Sequence, residues 1–460
     1  MKKILLISYH FPPSTAVGGL RLAHFAKYLP HFGWDAYVLT IEDRYLKRRD
    51  DDRRKDLGPI TIYKTRLAPT VNDAYLKLKS LYYSVLNRRR VSVEELTSSF
   101  ARPCFTYSEP QETVRPYSSE TVSQKIKRYV VSFLSMPDAE RNWIIPAVLR
   151  AVREIKRENI DCILTSSPPH SVHLIGYLVK SMTGVRWVAD FRDPWMTTGP
   201  KRLYSTCALS KKIEQWMEKK VLHGADMVVT TTEMLCDAFK KSNDRSSTDK
   251  FWCLTNGFDM EYFARFDHLQ KYDLFTLTYA GGLYYGRTPE PIFKAVKALV
   301  AEGRLDVHRI KIKLIGECAF VNGQPMSRLV SSYGLDPVVE VSGPVPYAEA
   351  IRIIAQSHVA LLFAPDQPFQ IPAKVFDYMG AKTAILALSK EGATADLIRS
   401  TNTGAVFAPS NEVGIKEYIY QASKNENASK RYGSSSAVDN YDRKKIIQEL
   451  AQQLHRIAAA

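Results

Sequence analysis

Short apolar runs alternate with helical segments along most of the chain, and this alternation is the feature that most constrains the fold. A repeated order of strand, helix and strand is typical of parallel βαβ units. Strands of such a sheet are covered on both faces and are apolar throughout, as in ADMVVT and TAILAL. A second series of the same kind starts at LFTLTYAGG, residues 274–282. Because a single core rarely grows beyond about 250–300 residues, the 460-residue chain is predicted to form two domains.

We expect a Rossmann-like domain over residues 1–255, a second over residues 256–436, and a closing helix in residues 437–460 that can pack back on the first domain. The pattern fails between residues 43 and 123, which we interpret as an insertion. This stretch holds a basic, aromatic helix candidate, AYLKLKSLYYSVLNRRR. It can lie on a membrane surface or pack on its own domain, and packing is the more common. The predicted fold class is α/β, with two Rossmann-like parallel-sheet domains facing a central cleft.

The net charge of +16 is unevenly distributed. Residues 1–200 contain 31 Lys and Arg against 20 Asp and Glu, a net +11. A basic first half attracts acidic partners such as anionic lipid, although net charge also simply favours solubility. No nucleic-acid recognition motif accompanies the basic residues, so nucleic acid is not expected as a partner.

Composition also bears on location. No apolar stretch approaches the roughly 18 residues of a membrane span. The apolar run at the N-terminus ends at His10 and two prolines, which is too short for a signal peptide. The six cysteines show no paired metal spacing and indicate reduced thiols, so we expect no metal. A cytoplasmic protein is predicted, either free or peripheral at the inner face of the plasma membrane.

Residues 367–388, QPFQIPAKVFDYMGAKTAILAL, are the most informative segment of the second series. Pro372 suits the first turn of a helix, and Gly380 is placed for a left-handed cap at its end. A helix start at the carboxyl edge of a parallel sheet favours an anion, and Lys374 adds a full charge. Asp377 can accept hydrogen bonds from sugar hydroxyls. A cation for a diphosphate and an acid for a ribose suit a nucleotide-sugar site, and a surface Lys–Asp pair is the alternative.

Each series opens with two glycines after its first strand, Gly18 and Gly19 in the first and Gly281 and Gly282 in the second. Paired glycines let the backbone approach a ligand and free the amides of the next helix for an anion, although such loops are often only turns.

Arg287 follows the second glycine pair. With Lys374 it would make a two-cation clamp on a diphosphate leaving group. A surface arginine beside Glu290 is the alternative.

Polar residues cluster where two strands of the first series end. The run ADFRDPW places Asp193 and its neighbours at a strand's carboxyl edge, where α/β proteins bind ligands. Arg192 paired with Asp190 or Asp193 as a structural bridge is the alternative. In SSPPHSVH, His173 is expected to pack on its helix. The acceptor-side candidates are Asp190, Arg192, Ser166 and His170.

Taken in order, these segments resemble the GT-B glycosyltransferases of family 4, most closely the branch that builds bacterial surface polysaccharides. The resemblance covers nearly the full length except about residues 43–123. It rests on YHFPPSTAVGGLRLAHFAKYL, ADFRDPW, NGFD, YAGGLYYGRTPEP and PAKVFDYMGAKTAILAL. It implies a retaining, metal-independent transfer of a sugar, without a cofactor, from a nucleotide diphosphate sugar to a glycan or polyprenyl-linked acceptor.

The resemblance also implies roles for individual residues. Arg287 and Lys374 would neutralise the departing diphosphate, and the first domain would hold the acceptor. The catalytic candidates are Arg287, Lys374 and Asp193. The donor-binding candidates are Gly18, Gly19, Gly282, Asp377, Gln370 and Ile371.

The chain departs from the family in one respect. The family usually carries two acids spaced E-x7-E; Asp377 fits the second, but the first position holds Phe369. Gln370 and Asp366 are the nearest polar substitutes. The alternatives are a catalytically silent nucleotide-sugar-binding scaffold and a sugar-nucleotide epimerase on the same fold.

Overall fold

A computed structural model describes most of the chain, which divides into two compact units. The first comprises Met1–Thr230, Ala238–Trp252 and Ala451–Ala460, and the second comprises Thr231–Asp237 and Cys253–Leu450. The described residues are 1–16, 18–46, 48–55, 57–69, 136–198, 208–243, 248–284, 286–424 and 436–459.

The first unit is built on a seven-stranded sheet with the order β3-β2-β1-β4-β5-β6-β7. From β3 through β6 the neighbouring strands pair in parallel, and the order reverses between β1 and β4. The central strands are almost wholly buried, as expected for a sheet covered on both faces. The strands are β1 Lys2–Ile7, β2 Trp34–Ile41, β3 Thr61–Thr65, β4 Cys162–Ser167, β5 Arg186–Phe191, β6 Met227–Thr230 and β7 Phe251–Cys253.

Helices of the first unit follow the predicted periodicity. The helix over Ile144–Glu158 buries Ala147, Val148, Ala151 and Ile155, which are spaced to lie on one helical face. It is capped by Asn159 in the left-handed conformation. The α-helices described before Cys253 are α1 Gly18–Tyr28, α2 Asp52–Lys55, α3 Ile144–Glu158, α4 Ser171–Thr183, α5 Ala208–Gly224 and α6 Glu233–Ser242.

The second unit is built on a six-stranded parallel sheet with the order β12-β9-β8-β13-β14-β15. Alternate residues of β13 enter different core clusters, Leu361 and Phe363 on one face and Ala360 and Leu362 on the other. Both faces are therefore covered. The strands are β8 Phe275–Ala280, β9 Ile310–Ile315, β12 Val339–Ser342, β13 Val359–Ala364, β14 Ala384–Ser389 and β15 Gly404–Phe407, with the hairpin β10 Phe320–Val321 and β11 Gln324–Pro325.

The helices of the second unit connect these strands. They are α7 Met260–Ala264, α8 Glu290–Ala301, α9 Met326–Tyr333, α10 Tyr347–Gln356, α11 Lys374–Gly380, α12 Ala393–Ser400 and α13 Glu412–Lys424; α14 Arg443–Ile457 then starts in the second unit and ends in the first. In each unit the strand order reverses beside the first strand, the arrangement of doubly wound Rossmann-like sheets. The α/β prediction with two parallel sheets is confirmed.

Two local predictions are wrong. Residues 61–65 form β3, which pairs with β2, so the irregular stretch does not begin at residue 43. Gly380 is the last helical residue and not a left-handed cap; Lys382 has the positive φ of 52°. A Cβ at Gly380 would lie 2.7 Å from the ring of Phe263, so close packing requires this glycine. The helix candidate within residues 74–90 lies outside the described residues.

Candidate functional site

In the second unit, the carboxyl end of β8 lies beside the point where the strand order reverses. Gly281 follows this strand with a φ of 142°, a conformation that favours glycine. Its amide donates to the carbonyl of Ile315 at 2.8 Å, which ties the loop to β9. A Cβ at Gly281 would collide with the ammonium of Lys374. The bare backbone of Gly281 therefore makes the space that this ammonium occupies.

Lys374 is the first residue of α11, and its ammonium lies 4.1 Å from the ring centroid of Tyr279. Burial, and secondly the positive charge of Arg287, lower the pKa of Lys374 to about 7. Lys374 therefore titrates near neutral pH. A nearby anion would favour its charged form.

Arg287 is buried, and its guanidinium carbon lies 4.4 Å from the ring centroid of Tyr284. Its Nη2 is 3.4 Å from the side-chain oxygen of Gln367, a long contact. Glu290, the alternative partner considered above, instead accepts from the hydroxyl of Tyr333 at 2.7 Å. Arg287 is therefore not a surface arginine paired with Glu290.

Within the described ranges, neither Arg287 nor Lys374 forms an ion pair with a carboxylate. Two cations held close together without a counter-charge repel each other, as the lowered pKa of Lys374 records. A bound anion with several oxygens would relieve this repulsion and supply the missing acceptors. The arrangement is therefore suited to a phosphate or diphosphate group.

The loop that carries these groups is held by neutral hydrogen bonds. The hydroxyl of Tyr279 donates to the carbonyl of Gly282 at 2.8 Å, and the thiol of Cys318 lies 3.2 Å from the carbonyl oxygen of Gly281. Burial raises the pKa of the Cys318 thiol to about 12, so it stays protonated at neutral pH. The glycine loop is thus fixed without a charge that would compete with an anion.

Asp377 lies one turn along α11 from Lys374, and the two form no ion pair within the described residues. The hydroxyl of Tyr347 donates to Oδ1 of Asp377 at 2.7 Å. Burial raises the pKa of Asp377, and the hydrogen bond from Tyr347 opposes this rise. The predicted alternative of a Lys374–Asp377 surface pair is therefore not observed. Asp377 retains a second carboxylate oxygen that can accept from a hydroxyl.

The loop before α11 is held by its backbone. The carbonyl of Phe369 accepts from the hydroxyl of Thr232 at 2.8 Å, and that of Gln370 accepts from Thr394 at 2.9 Å. Ile371 packs against the core cluster beneath α11. Asp366, offered above as a substitute acid, instead forms a well-exposed ion pair with Lys390 at 2.6 Å.

In the first unit, Gly18 and Gly19 form hydrogen bonds with other residues of the protein. The guanidinium of Arg192 donates to the backbone carbonyls of Gly18, Ser167 and Pro168. A Cβ at Gly18 would collide with this guanidinium. The amide of Gly19 donates to the carbonyl of Ala16 at 3.0 Å, so it is used within the turn. Arg192 therefore joins the two loops, and the nearby charges of Asp193 and Asp190 favour its charged form.

Asp190 is fully buried and accepts from two side chains. Nη2 of Arg21 lies 2.9 Å from Oδ1, and the hydroxyl of Ser166 lies 2.6 Å from Oδ2. The sequence analysis named Asp190 and Ser166 as acceptor-side candidates and missed Arg21. The signal for Arg21 is an arginine within the apolar stretch GLRLA at the start of α1. In this structure Asp190 and Ser166 serve an internal ion pair, without exposure to a ligand.

The RDPW loop is held by two buried acids of α5 that the sequence analysis did not select. The indole of Trp195 donates to Glu214 at 3.0 Å, and the amide of Met196 donates to Glu218 at 2.9 Å. The ring of His170 stacks on that of Trp195, with centroids 5.0 Å apart and planes 2° from parallel. These contacts position the loop on which Asp193, partly exposed, is carried.

His173 packs inside the first unit, as expected. Its two ring nitrogens lie 2.9 Å from the hydroxyls of Thr165 and Ser167. Burial lowers the pKa of His173 to about 3, so the ring is neutral. A search of the described residues finds no group of three His, Cys, Asp or Glu side chains arranged to hold a metal ion.

Solved structures similar to this chain share its fold. HepE of Anabaena in complex with UDP and glucose is 13% identical, with a TM-score of 0.62, covering 99% of this chain and 100% of that one. Sucrose-phosphate synthase of Thermosynechococcus elongatus is 12% identical, with a TM-score of 0.60 and full coverage of both chains. A protein of Listeria monocytogenes described as a UDP-N-acetylglucosamine 2-epimerase is 10% identical, with a TM-score of 0.54, covering 99% and 97%.

At these identities the likeness shows the fold alone. It is the GT-B fold, with two Rossmann-like units, that the sequence predicts. No protein-family model matches the sequence, and no curated protein does.

Proposed function

We propose that the protein is a glycosyltransferase that takes a sugar from a nucleoside diphosphate sugar. The observation that carries the proposal is a pair of neighbouring cations without a carboxylate partner among the described residues: the buried Arg287, and Lys374, whose ammonium lies against Gly281. The diphosphate of the donor supplies the charge that this pair lacks. Asp377, beside them on α11, accepts from a ribose hydroxyl. HepE, of the same fold, is described in complex with UDP and glucose, which supports UDP-glucose as the first donor to test.

The chemistry proposed is retaining and metal-independent. The bond between the sugar's anomeric carbon and the diphosphate oxygen breaks, and its electron pair leaves with the diphosphate. Arg287 and Lys374 stabilise the charge that builds on that oxygen, a contribution of several kcal/mol in such sites. The acceptor hydroxyl attacks the anomeric carbon on the same face, and its proton passes to the departing diphosphate oxygen. Asp193 is the acceptor-side residue proposed to contact this hydroxyl.

The remaining parts of the proposal rest on the family resemblance. The acceptor is a glycan or a polyprenyl-linked sugar, and the product contributes to a cell-surface polysaccharide. The protein works in the cytoplasm, where a lipid-linked acceptor would be met at the inner face of the plasma membrane. Gln370 and Ile371 lie beside the donor sugar, where Gln370 takes the place of the family's first acid.

A direct test measures UDP binding and donor turnover by the purified full-length chain. The Arg287→Ala and Lys374→Ala variants are expected to lose UDP-glucose turnover by about 10²–10³-fold, since each removes a charge from the leaving group. Lys297→Ala, an exposed lysine on α8, is the matched control and should retain wild-type turnover. Normal turnover by either site variant would contradict the assignment, provided that its melting curve shows a folded protein.

The Listeria neighbour supports one alternative, a sugar-nucleotide epimerase, on the same site. An epimerase converts the donor to a different nucleotide sugar or free sugar without any acceptor. Chromatography of the products made from UDP-glucose and from UDP-N-acetylglucosamine, each without acceptor, separates the two reactions. UDP binding without any turnover across a panel of donors and acceptors would instead support a nucleotide-sugar-binding scaffold.

A further inference from the structure

The outward face of α5 carries apolar, aromatic and basic side chains together. At 3.6 residues per turn these residues fall within an arc of about 100° on the helix surface. Leu209 is 60% exposed and Trp216 is 58% exposed. The lysines around them are exposed as well, and one of them, Lys220, lies over the indole ring at 5.7 Å. We call this set the α5 face: Leu209, Lys212, Trp216, Lys219, Lys220 and His223.

No acid neutralises the α5 face from its own helix. The two acids of α5, Glu214 and Glu218, are each 3% exposed and point inward. There they accept from Trp195 and from the backbone and hydroxyl of the RDPW loop. In the part of the chain that the structure describes, none of Lys212, Lys219 and Lys220 has an ion-pair partner. The positive charge of this face is therefore uncompensated.

Further exposed apolar side chains lie on the neighbouring helices. α4 packs against α5, and α3 packs against α4. Met182 on α4 and Ile145 and Leu149 on α3 are all more than half exposed. Large exposed apolar side chains therefore occur on three helices of the first unit that pack side by side, and grouped apolar side chains of this size usually mark a binding surface.

We propose that the α5 face binds an anionic lipid surface. Tryptophan favours the boundary between lipid headgroups and acyl chains, where its ring is apolar and its N–H stays hydrated. Each lysine near an anionic leaflet strengthens binding by about fivefold. No helix among the described residues is long and apolar enough to cross a membrane, so contact through this face would be peripheral.

The same helix links this surface to the acceptor side. Its outward face carries Trp216, while its inward face holds the RDPW loop through Glu214 and Glu218. A protein bound to lipid through α5 has that loop tied to the bound helix. This deepens the proposed function, on which it rests, by naming the surface where a lipid-linked acceptor would be presented. Only the role in presenting an acceptor depends on that function; the proposed lipid binding is argued from the exposure and charge of the α5 face.

The test uses sedimentation of the full-length protein with phosphatidylcholine vesicles, with and without phosphatidylglycerol. We expect binding only to the anionic vesicles, weakening as salt is raised. The triple variant K212Q/K219Q/K220Q should bind roughly a hundredfold more weakly. Trp216→Ala should weaken binding roughly tenfold and leave the salt dependence intact, because it removes insertion and not charge.

The matched control is K297Q/K424Q/K445Q, which removes the same charge from exposed lysines of the second unit. It should bind like the wild type. Equal losses in both triple variants would show a general charge effect and overturn the assignment to α5, as would wild-type binding by the α5 triple. Binding that is retained on neutral vesicles, or absent from all vesicles, would also overturn it. UDP binding by each variant, measured in parallel, confirms folding and reports separately on the proposed donor site.

Discussion

Both units place a cation from later in the chain against a glycine that follows the first strand of the sheet. In the first unit the guanidinium of Arg192 lies on Gly18, and in the second the ammonium of Lys374 lies on Gly281. The two differ in what else the cation contacts. Arg192 donates to three backbone carbonyls, whereas Lys374 has an aromatic ring, Tyr279, and a second cation as neighbours.

The difference teaches that a glycine loop with a cation is not in itself an anion site. A cation that donates to several carbonyls of its own fold stabilises that fold and has less left for a ligand. A cation without an acid, held beside another cation, gains most when an anion arrives. The number of internal acceptors, and not the glycine motif, separates the contact that stabilises the fold from the candidate site.

The largest expected effect is a difference in the free energy of unfolding between the Arg192 and Arg287 variants. Arg192→Ala leaves three backbone carbonyls, one buried and two partly buried, without their donor and should lower the free energy of unfolding by about 3 kcal/mol. Arg287→Ala should change it by less than about 1 kcal/mol, because it also removes repulsion from Lys374. Urea titrations of both variants measure this contrast. Equal losses of stability in the two variants would contradict the proposed difference between Arg192 and Arg287.

The glycines provide a second test. Gly18→Ala pushes a Cβ into an anchored guanidinium, so it should destabilise the protein by about 1–3 kcal/mol and leave UDP affinity unchanged. Gly281→Ala should weaken UDP binding roughly tenfold, because the displaced ammonium of Lys374 no longer faces the diphosphate and that charge stabilises it. Calorimetric titration with UDP measures both. Loss of UDP affinity in a folded Gly18→Ala protein would favour the donor-phosphate role that the resemblance implies for Gly18.

The smallest effect, per pH unit, is a pH dependence of UDP binding. Lys374 has a pKa of about 7 in the free protein, and bound diphosphate raises it. Binding therefore takes up a proton above pH 7, and the affinity should fall by up to about tenfold per pH unit until the raised pKa is reached. Lys374→Arg, charged throughout, should bind with an affinity independent of pH in this range. A wild-type affinity that stays constant from pH 7 to 9 would contradict the unpaired state of Lys374.

The sequence predicts the parallel sheets well because their apolar runs are long and separated by strong helical patterns. It misses β3, since TIYKT lies at the sheet edge, partly exposed, and lacks an apolar run. It brings Arg287 and Lys374 together because both follow strands of the same predicted sheet, at its carboxyl edge. It does not pair Asp190 with Arg21, 169 residues away, because partners across a fold leave no local signal. The Gly380 prediction fails because packing against Phe263, which is distant in sequence, decides that position.

The first unit is assembled from three separate stretches of chain, and its last is the final ten residues. Leu454 is fully buried there, and the ring of His455 lies 5.2 Å from that of Trp34. These residues are synthesised after the whole of the second unit. The first unit consequently completes its core only after the second unit has been made. We expect nascent chains to expose the surface around Trp34 until Leu454 and His455 have left the ribosome.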